Sequence, residues 1–178
     1  MPPEWYIPYE DNTRGVPLMG AFGDGYRYHV TGLVHDTHGY PTQRSDETQV
    51  FQNRIHRKIE QSFEEIHTVH KEHAEDAEVL VIAYGSVARS ARRAVRDARK
   101  QGVRAGLLQL ASLWPFPRSM VEPYLRNVKA VLVPELNRGQ VSREVKRVNK
   151  GACRVETLRR IDGNLITPSE ILVRLTKM

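Results

Sequence analysis

Four groups of residues in this chain have types and spacings that chemistry uses. Gly85-Ser86 ends one apolar run and precedes a helical one. A small turn before a helix N-terminus can hold an anion with its free N–H groups. No G-x-G-x-x-G fingerprint and no Walker lysine accompany it, so a tight strand-to-helix turn with Ser86 as cap is the simpler reading. The segment 133–140 places Glu135, Asn137, Arg138 and Gln140 after a second apolar run. A glutamate there could act as acid or base, but no Ser/His/Asp or Cys/His arrangement comes with it. His67, His70 and His73 recur at steps of three, a spacing that can share a helix face and ligate a metal. The spacing is not H-E-x-x-H, and histidines in a last helical turn also complement the helix dipole. His29, His35 and His38, with Arg27 and Asp36, gather around a predicted hairpin, either as a polar site or as turn residues.

A fifth group is purely cationic. Arg89, Arg92, Arg93, Arg96, Arg99 and Lys100 share a helical segment with Val87, Ala91, Ala94, Val95 and Ala98. The small residues let that helix sit close on a sheet, and the arginines point away. Such a stripe could meet phosphates. It has no interleaved aromatics on which bases would stack, so a solvated or subunit-facing surface is favoured over nucleic acid.

The elements that position these groups follow from periodicity. Residues 1–25 are rich in proline and glycine and read as a linker or extended arm. Trp5, Tyr6 and Tyr9 are too apolar for a purely solvated tail. Residues 26–34 favour a strand and 35–39 a turn. Val50, Phe51, Ile55, Ile59, Phe63 and Ile66 form an apolar stripe that predicts one long helix over about 47–74. From residue 77 onward, strands alternate with helices: strands at 79–84, 103–110, 130–133 and 153–158, helices at 87–101, 117–127 and 139–149. A final helix opens at Thr167 as cap and Pro168 as first helical residue. Apolar strands separated by amphipathic helices imply parallel strands buried on both faces. Residues 26–178 are therefore expected to form one α/β domain.

Bulk properties narrow the classes. The chain has 178 residues, 40% of them hydrophobic, and a net charge of +6. It is long enough for one core with an appendage. No apolar run approaches membrane-helix length, and the start lacks a signal-peptide pattern, so a cytoplasmic location is expected. Cys153 is the only cysteine, which leaves no intrachain disulfide and too few thiolates for an iron–sulfur cluster. The positive charge speaks to association, and an acidic partner subunit is the favoured counterpart.

Taken in order, the segments resemble a known family. The stretch 25–33 followed by His35-Asp36 is similar to the segment joining the two domains in alpha subunits of 2-oxoacid:ferredoxin oxidoreductases, particularly the 2-oxoglutarate type. The stretches 83–86, 115–117 and 135–140 fall where that family has its G-S, P-F-P and E-x-N-x-x-G-Q elements. The resemblance implies a transketolase C-terminal-like fold, a three-layer α/β/α sandwich on a mostly parallel five-stranded sheet with one antiparallel strand. It also implies an enzyme that decarboxylates a 2-oxoacid with thiamine diphosphate, passes the acyl group to coenzyme A and electrons to ferredoxin. A family alpha subunit is about twice this length. The preceding pyrimidine-binding domain is absent here, so the chain looks like a fragment, an excised piece or one part of a split subunit. The beta subunit of the family holds the diphosphate and its magnesium. The resemblance thus leaves thiamine diphosphate, magnesium, iron–sulfur clusters and catalytic residues to the rest of the enzyme. Arg27, His29, Gly85, Ser86, Glu135, Asn137, Arg138 and Gln140 remain as candidates for an interface or channel. The competing expectation is a stand-alone module that binds a phosphate ligand or nucleic acid with the arginine helix.

Overall fold

The computed structural model describes residues 2–178. The chain divides into two compact units, Met1–Ile66 and His67–Met178. Residues 26–66 thus group with the N-terminal segment, not with the sheet as expected.

In the first unit, the N-terminal segment is fastened to helix α1 (Ser45–Gln61). Arg57 pairs with Asp11 and Arg54 Nη1 donates to the Gly15 carbonyl at 3.3 Å; past the end of that helix, Arg14 bridges to Glu65 at 2.9 Å. The expected strand at 26–34 does not form. The backbone pairing in this region is one bridge, His35 to Pro41. Strand propensity reflects fit to a neighbouring strand, and Tyr28 instead uses its hydroxyl to bond the Gly20 carbonyl at 3.0 Å.

The long helix expected over 47–74 is also corrected. Helix α1 ends at Gln61, a single turn, α2 (Phe63–Ile66), follows, and Val69–Glu72 is a strand, β1. The apolar stripe has no apolar member beyond Ile66 except Val69, and only histidines extended it. β1 runs antiparallel along β3, with Val69 opposite Leu110. Pairing with β1 covers the edge of β3 that would otherwise stand open.

The second unit is a five-stranded sheet in the order β1-β3-β2-β4-β5, with β2 (Val79–Tyr84), β3 (Ala105–Leu110), β4 (Ala130–Glu135) and β5 (Arg154–Arg159) mutually parallel. Helices α3 (Val87–Lys100) and α6 (Pro168–Leu175) cover one face, α4 (Arg118–Leu125) and α5 (Gln140–Asn149) the other. The two-residue period of the strands divides their side chains between the faces. Leu80, Ile82, Val131 and Val133 meet α4 and α5, whereas Val79, Val81, Ala83 and Leu132 meet α3 and α6. Ala88, Ala91, Ala94 and Ala98 are buried under α3, so its small-residue face lies on the sheet as its sequence requires. At α6, Thr167 and Glu170 form a reciprocal capping box with Pro168 at the first position. Among the described residues no helix is long and apolar enough to cross a membrane.

Candidate functional site

Because β2 to β5 are parallel, the loops that follow them leave the sheet at one edge. That is where open α/β sheets bind ligands and partners. The loop after β2 carries Gly85-Ser86, and the loop after β4 carries 136–139, so the structure brings both sequence motifs side by side.

The start of α5 is closed by its own sequence. The side chain of Glu135 is fully buried. Its Oε2 accepts the Val141 N–H at 2.9 Å and its Oε1 the Ser142 N–H at 3.0 Å. Asn137 Oδ1 accepts the N–H groups of Gly139, at 2.7 Å, and Gln140, at 3.0 Å. Gly139 holds φ at +97°, the left-handed turn that folds the loop back onto the helix. Tyr84 links the two motifs. Its hydroxyl donates to Glu135 Oε2 at 3.3 Å and accepts from Asn137 Nδ2. Burial pushes the Tyr84 phenol up, the Glu135 charge pushes it further, and the Asn137 bond opposes both.

This geometry turns Glu135 and Asn137 onto the fold's own amides. Glu135 and Asn137 satisfy the free N–H groups of a helix start, with a carboxylate at the positive end of the dipole. Three donors thus enclose the Glu135 carboxylate. Arg138 and Gln140 are exposed, and the Arg138 carbonyl accepts from Arg159 Nη1 at 3.2 Å.

The start of α3 is open. Gly85 has φ +54°, and nothing lies within 4 Å of where a Cβ would stand. Ser86 occupies the cap position with helical dihedrals, φ −64° and ψ −31°, and its hydroxyl makes no capping bond. The expected Ser86 cap is therefore not made. Ala88 and Arg89 bond back to the Gly85 and Ser86 carbonyls at 3.3 and 3.2 Å. The N–H groups of Ser86 and Val87 meet no acceptor among the described residues.

The other loops at this edge carry exposed apolar residues. Leu113 and Trp114 follow β3, Leu136 follows β4, and Ile161 and Leu165 follow β5, all exposed; Trp114 is 73% accessible. Sequence reasoning missed both this patch and Tyr84. The signal for the patch was present, since large apolar residues stand in loop positions immediately after strands.

The arginines of α3 are largely engaged within the fold. Arg92 and Arg96 both reach Glu72 on β1, at 3.1 and 2.6 Å. Arg93 pairs with Asp97 at 2.6 Å and Arg99 with Asp76 at 2.7 Å. The three histidines do not share a helix face. His67 is buried with Nε2 on the Pro115 carbonyl, His70 is exposed on β1, and His73 is left-handed at φ +52°. Arg27 and His29 belong to the first unit, where they line a cleft with Tyr6, Tyr28, His38 and Tyr40. His35 turns inward between Tyr9 and Phe51.

Residues 77–171 match the family model for the pyruvate:ferredoxin oxidoreductase core domain II, over half of the chain. The chain belongs to this family. Among curated relatives of this core domain II chain, the 2-oxoglutarate synthase subunit KorA of Methanothermobacter thermautotrophicus is 43% identical over 179 residues, covering 100% of this chain and 48% of that protein. KorA of Methanocaldococcus jannaschii is 38% identical over 156 residues, covering 88% and 42%. The chain spans about half the length of the curated relatives it matches. Among solved structures, 2-oxoglutarate:ferredoxin oxidoreductase from Magnetococcus marinus superposes with a TM-score of 0.78 at 24% identity, over 95% of this chain and 30% of that one. A split-gene transketolase superposes with a TM-score of 0.53 at 22% identity, over 62% of this chain and 40% of that one. The fold is thus the transketolase C-terminal-like sandwich that the resemblance implies.

Among the described residues no group of three or more His, Cys, Asp or Glu could hold a metal. The one buried carboxylate at the sheet edge, Glu135, has both oxygens occupied by the α5 amides and Tyr84.

Proposed function

We propose that this chain is the second core domain of the alpha subunit of a thiamine-diphosphate-dependent 2-oxoacid:ferredoxin oxidoreductase, of the 2-oxoglutarate type, and that it serves assembly. The observation that carries the assembly role is the contrast along one sheet edge. The start of α5 is saturated from within, whereas the start of α3 has unmet amides at an edge whose other loops expose Leu113, Trp114, Leu136, Ile161 and Leu165. Several large apolar residues exposed along one ligand-facing edge favour an interaction site there. Its occupants are the pyrimidine-binding domain and the beta subunit of the same enzyme. Thiamine diphosphate, magnesium, iron–sulfur clusters, and the sites for coenzyme A and ferredoxin are assigned to the assembled cytoplasmic complex. The 2-oxoglutarate type rests on the KorA relatives. The stand-alone phosphate-binding alternative loses support because Arg92, Arg93, Arg96 and Arg99 are held in ion pairs.

The test is reconstitution. Purified alone, the chain is expected to reduce no viologen dye with 2-oxoglutarate and coenzyme A. Co-expressed with a pyrimidine-binding domain and beta subunit, it is expected to copurify and to be needed for turnover. Turnover by the isolated chain would overturn the assembly reading.

A further inference from the structure

In the first unit, a cleft of about 200 Å³ opens between helix α1 and the turn at 35–37. Tyr9, Val50 and Phe51 give it apolar walls, and His35, Asp36 and Glu47 give it acceptors. We propose that this cleft binds a small primary amine in its ammonium form. Its three N–H bonds go to His35 Nε2, Asp36 and Glu47, and its alkyl chain lies along Val50, Phe51 and Tyr9. The site does not depend on the assembly role proposed above.

The acceptor side begins with His35, which is 8% exposed. Its Nδ1 lies 2.8 Å from the Asp36 carbonyl oxygen. A carbonyl only accepts, so Nδ1 carries the proton and Nε2 of the neutral ring presents a lone pair. Among the described residues Nε2 has no partner. It is not sealed from solvent either, and the cleft that His35 lines is its outlet. A donor entering the cleft supplies the hydrogen bond that the ring lacks. Asp36 gives Oδ1 to the amides of His38 and Tyr40, at 2.9 and 3.0 Å, and its second oxygen has lone pairs of its own. The Glu47 carboxylate makes no hydrogen bond among the described residues. Its ion-pair contact, Arg44 Nη1 at 3.6 Å, lies beyond hydrogen-bond reach.

The charge in the cleft selects a cation. Asp11 and Asp46 also line it, but they are paired with Arg57 and Arg44. The lining guanidinium, Arg54, is turned to the Gly15 carbonyl and the Phe51 ring. Asp36 and Glu47 together therefore outweigh it. Among the described residues these groups do not form a metal-holding set, whereas an ammonium spreads three donors over separate acceptors. The volume is below the range of about 300–1,000 Å³ typical of larger ligands, which suits a short alkyl chain. Val50 is 56% exposed, and covering it adds apolar burial. The turn is set before any ligand arrives: Tyr9 donates its N–H to the Thr37 carbonyl at 3.0 Å, and its ring packs on His35 with centroids 4.1 Å apart. Such preorganisation lowers the ordering cost of binding.

The experiment is an NMR titration of the whole chain with butylammonium, 1-butanol and tetramethylammonium, followed at the ring nitrogens of His35. It is run at about pH 8.5, above the ordinary imidazole value and below that of an alkylamine. Butylammonium is expected to bind and to move the Nε2 resonance, because that lone pair gains a donor. 1-Butanol lacks the charge and tetramethylammonium lacks the N–H bonds, so each should bind at least about tenfold more weakly. Glu47→Gln should weaken butylammonium about tenfold and leave 1-butanol little changed. The fold does not depend on a carboxylate without a hydrogen bond. Glu60→Gln, at an exposed α1 position outside the cleft, should change nothing. The proposal is overturned by no butylammonium binding at tens of millimolar, or by either analogue binding as tightly. An Nε2 resonance unmoved at saturation, or an affinity that responds equally to Glu47→Gln and Glu60→Gln, overturns it as well.

Discussion

The turns after β2 and β4 occupy neighbouring positions on one sheet edge, and each delivers the chain into a helix, yet their chemistry is opposite. After β4, Glu135 and Asn137 supply acceptors to the amides of Gly139, Gln140, Val141 and Ser142. After β2, Gly85 and Ser86 supply none from their side chains, and the space around the turn is open. Topology alone makes both turns candidate sites. What separates them is whether the chain satisfies its own helix start. The polar motif, more eye-catching in the sequence, is the one consumed by the fold, and the bland Gly-Ser turn is the one left open.

The largest effect should come from opening the closed turn. Glu135→Ala leaves the Val141 and Ser142 amides buried without acceptors, and about 3 kcal/mol or more of stability should be lost. Glu135→Gln keeps one acceptor and should cost about half as much. Urea denaturation of the isolated chain measures both. A Glu135→Ala chain as stable as the parent would remove the distinction between the two turns.

The next effect concerns the open side. Trp114→Glu puts a charge among the exposed apolar residues of that edge. It should weaken association with the pyrimidine-binding domain and beta subunit by about 2 kcal/mol, with less than about 0.5 kcal/mol of change in the stability of the chain itself. Association titrations set beside denaturation curves separate the two. Equal losses in both would mean that Trp114 belongs to the fold.

A third helix start sharpens the comparison at the smallest scale. At α6 the closure is made in the exposed capping box of Thr167 and Glu170. Thr167→Ala should cost about 1 kcal/mol, less than the buried closure at α5. The Thr167 amide and hydroxyl, helped by Arg160, hold the Glu170 carboxyl below its usual range. With the folded value below the unfolded one, the box contributes fully above the ordinary carboxylate value, about pH 4.3. Its contribution is lost as pH falls through the lowered folded value. Thr167→Ala should flatten that acid dependence of stability.

The sheet and its helices were legible because apolar runs and amphipathic periods report burial directly. Ala91, Ala94 and Ala98 mark the face of α3 that meets the sheet, and Thr167-Pro168 marks the start of α6. The segment before residue 77 was less legible. Val69, His70 and His73 prolonged the helical stripe, and what makes 69–72 a strand is the distant edge of β3. The tyrosine-rich 26–34 stretch has strand-forming residues but no strand to pair with, so its partners are loop carbonyls. At the site, the neighbourhood of Gly85-Ser86 and Glu135–Gln140 followed from parallel topology. The enclosure of Glu135 did not, because it depends on Tyr84 reaching sideways between strands and on a left-handed Gly139 folding the α5 amides back.

Amide hydrogen exchange at the two helix starts, on the chain alone and in the assembled complex, tests the central claim most directly. The account predicts that Val141 and Ser142 are protected in both states. It predicts that Ser86 and Val87 exchange fast in the isolated chain and slow markedly once the pyrimidine-binding domain and beta subunit are bound. Exchange at Ser86 and Val87 that is equally fast in the assembled complex would contradict it.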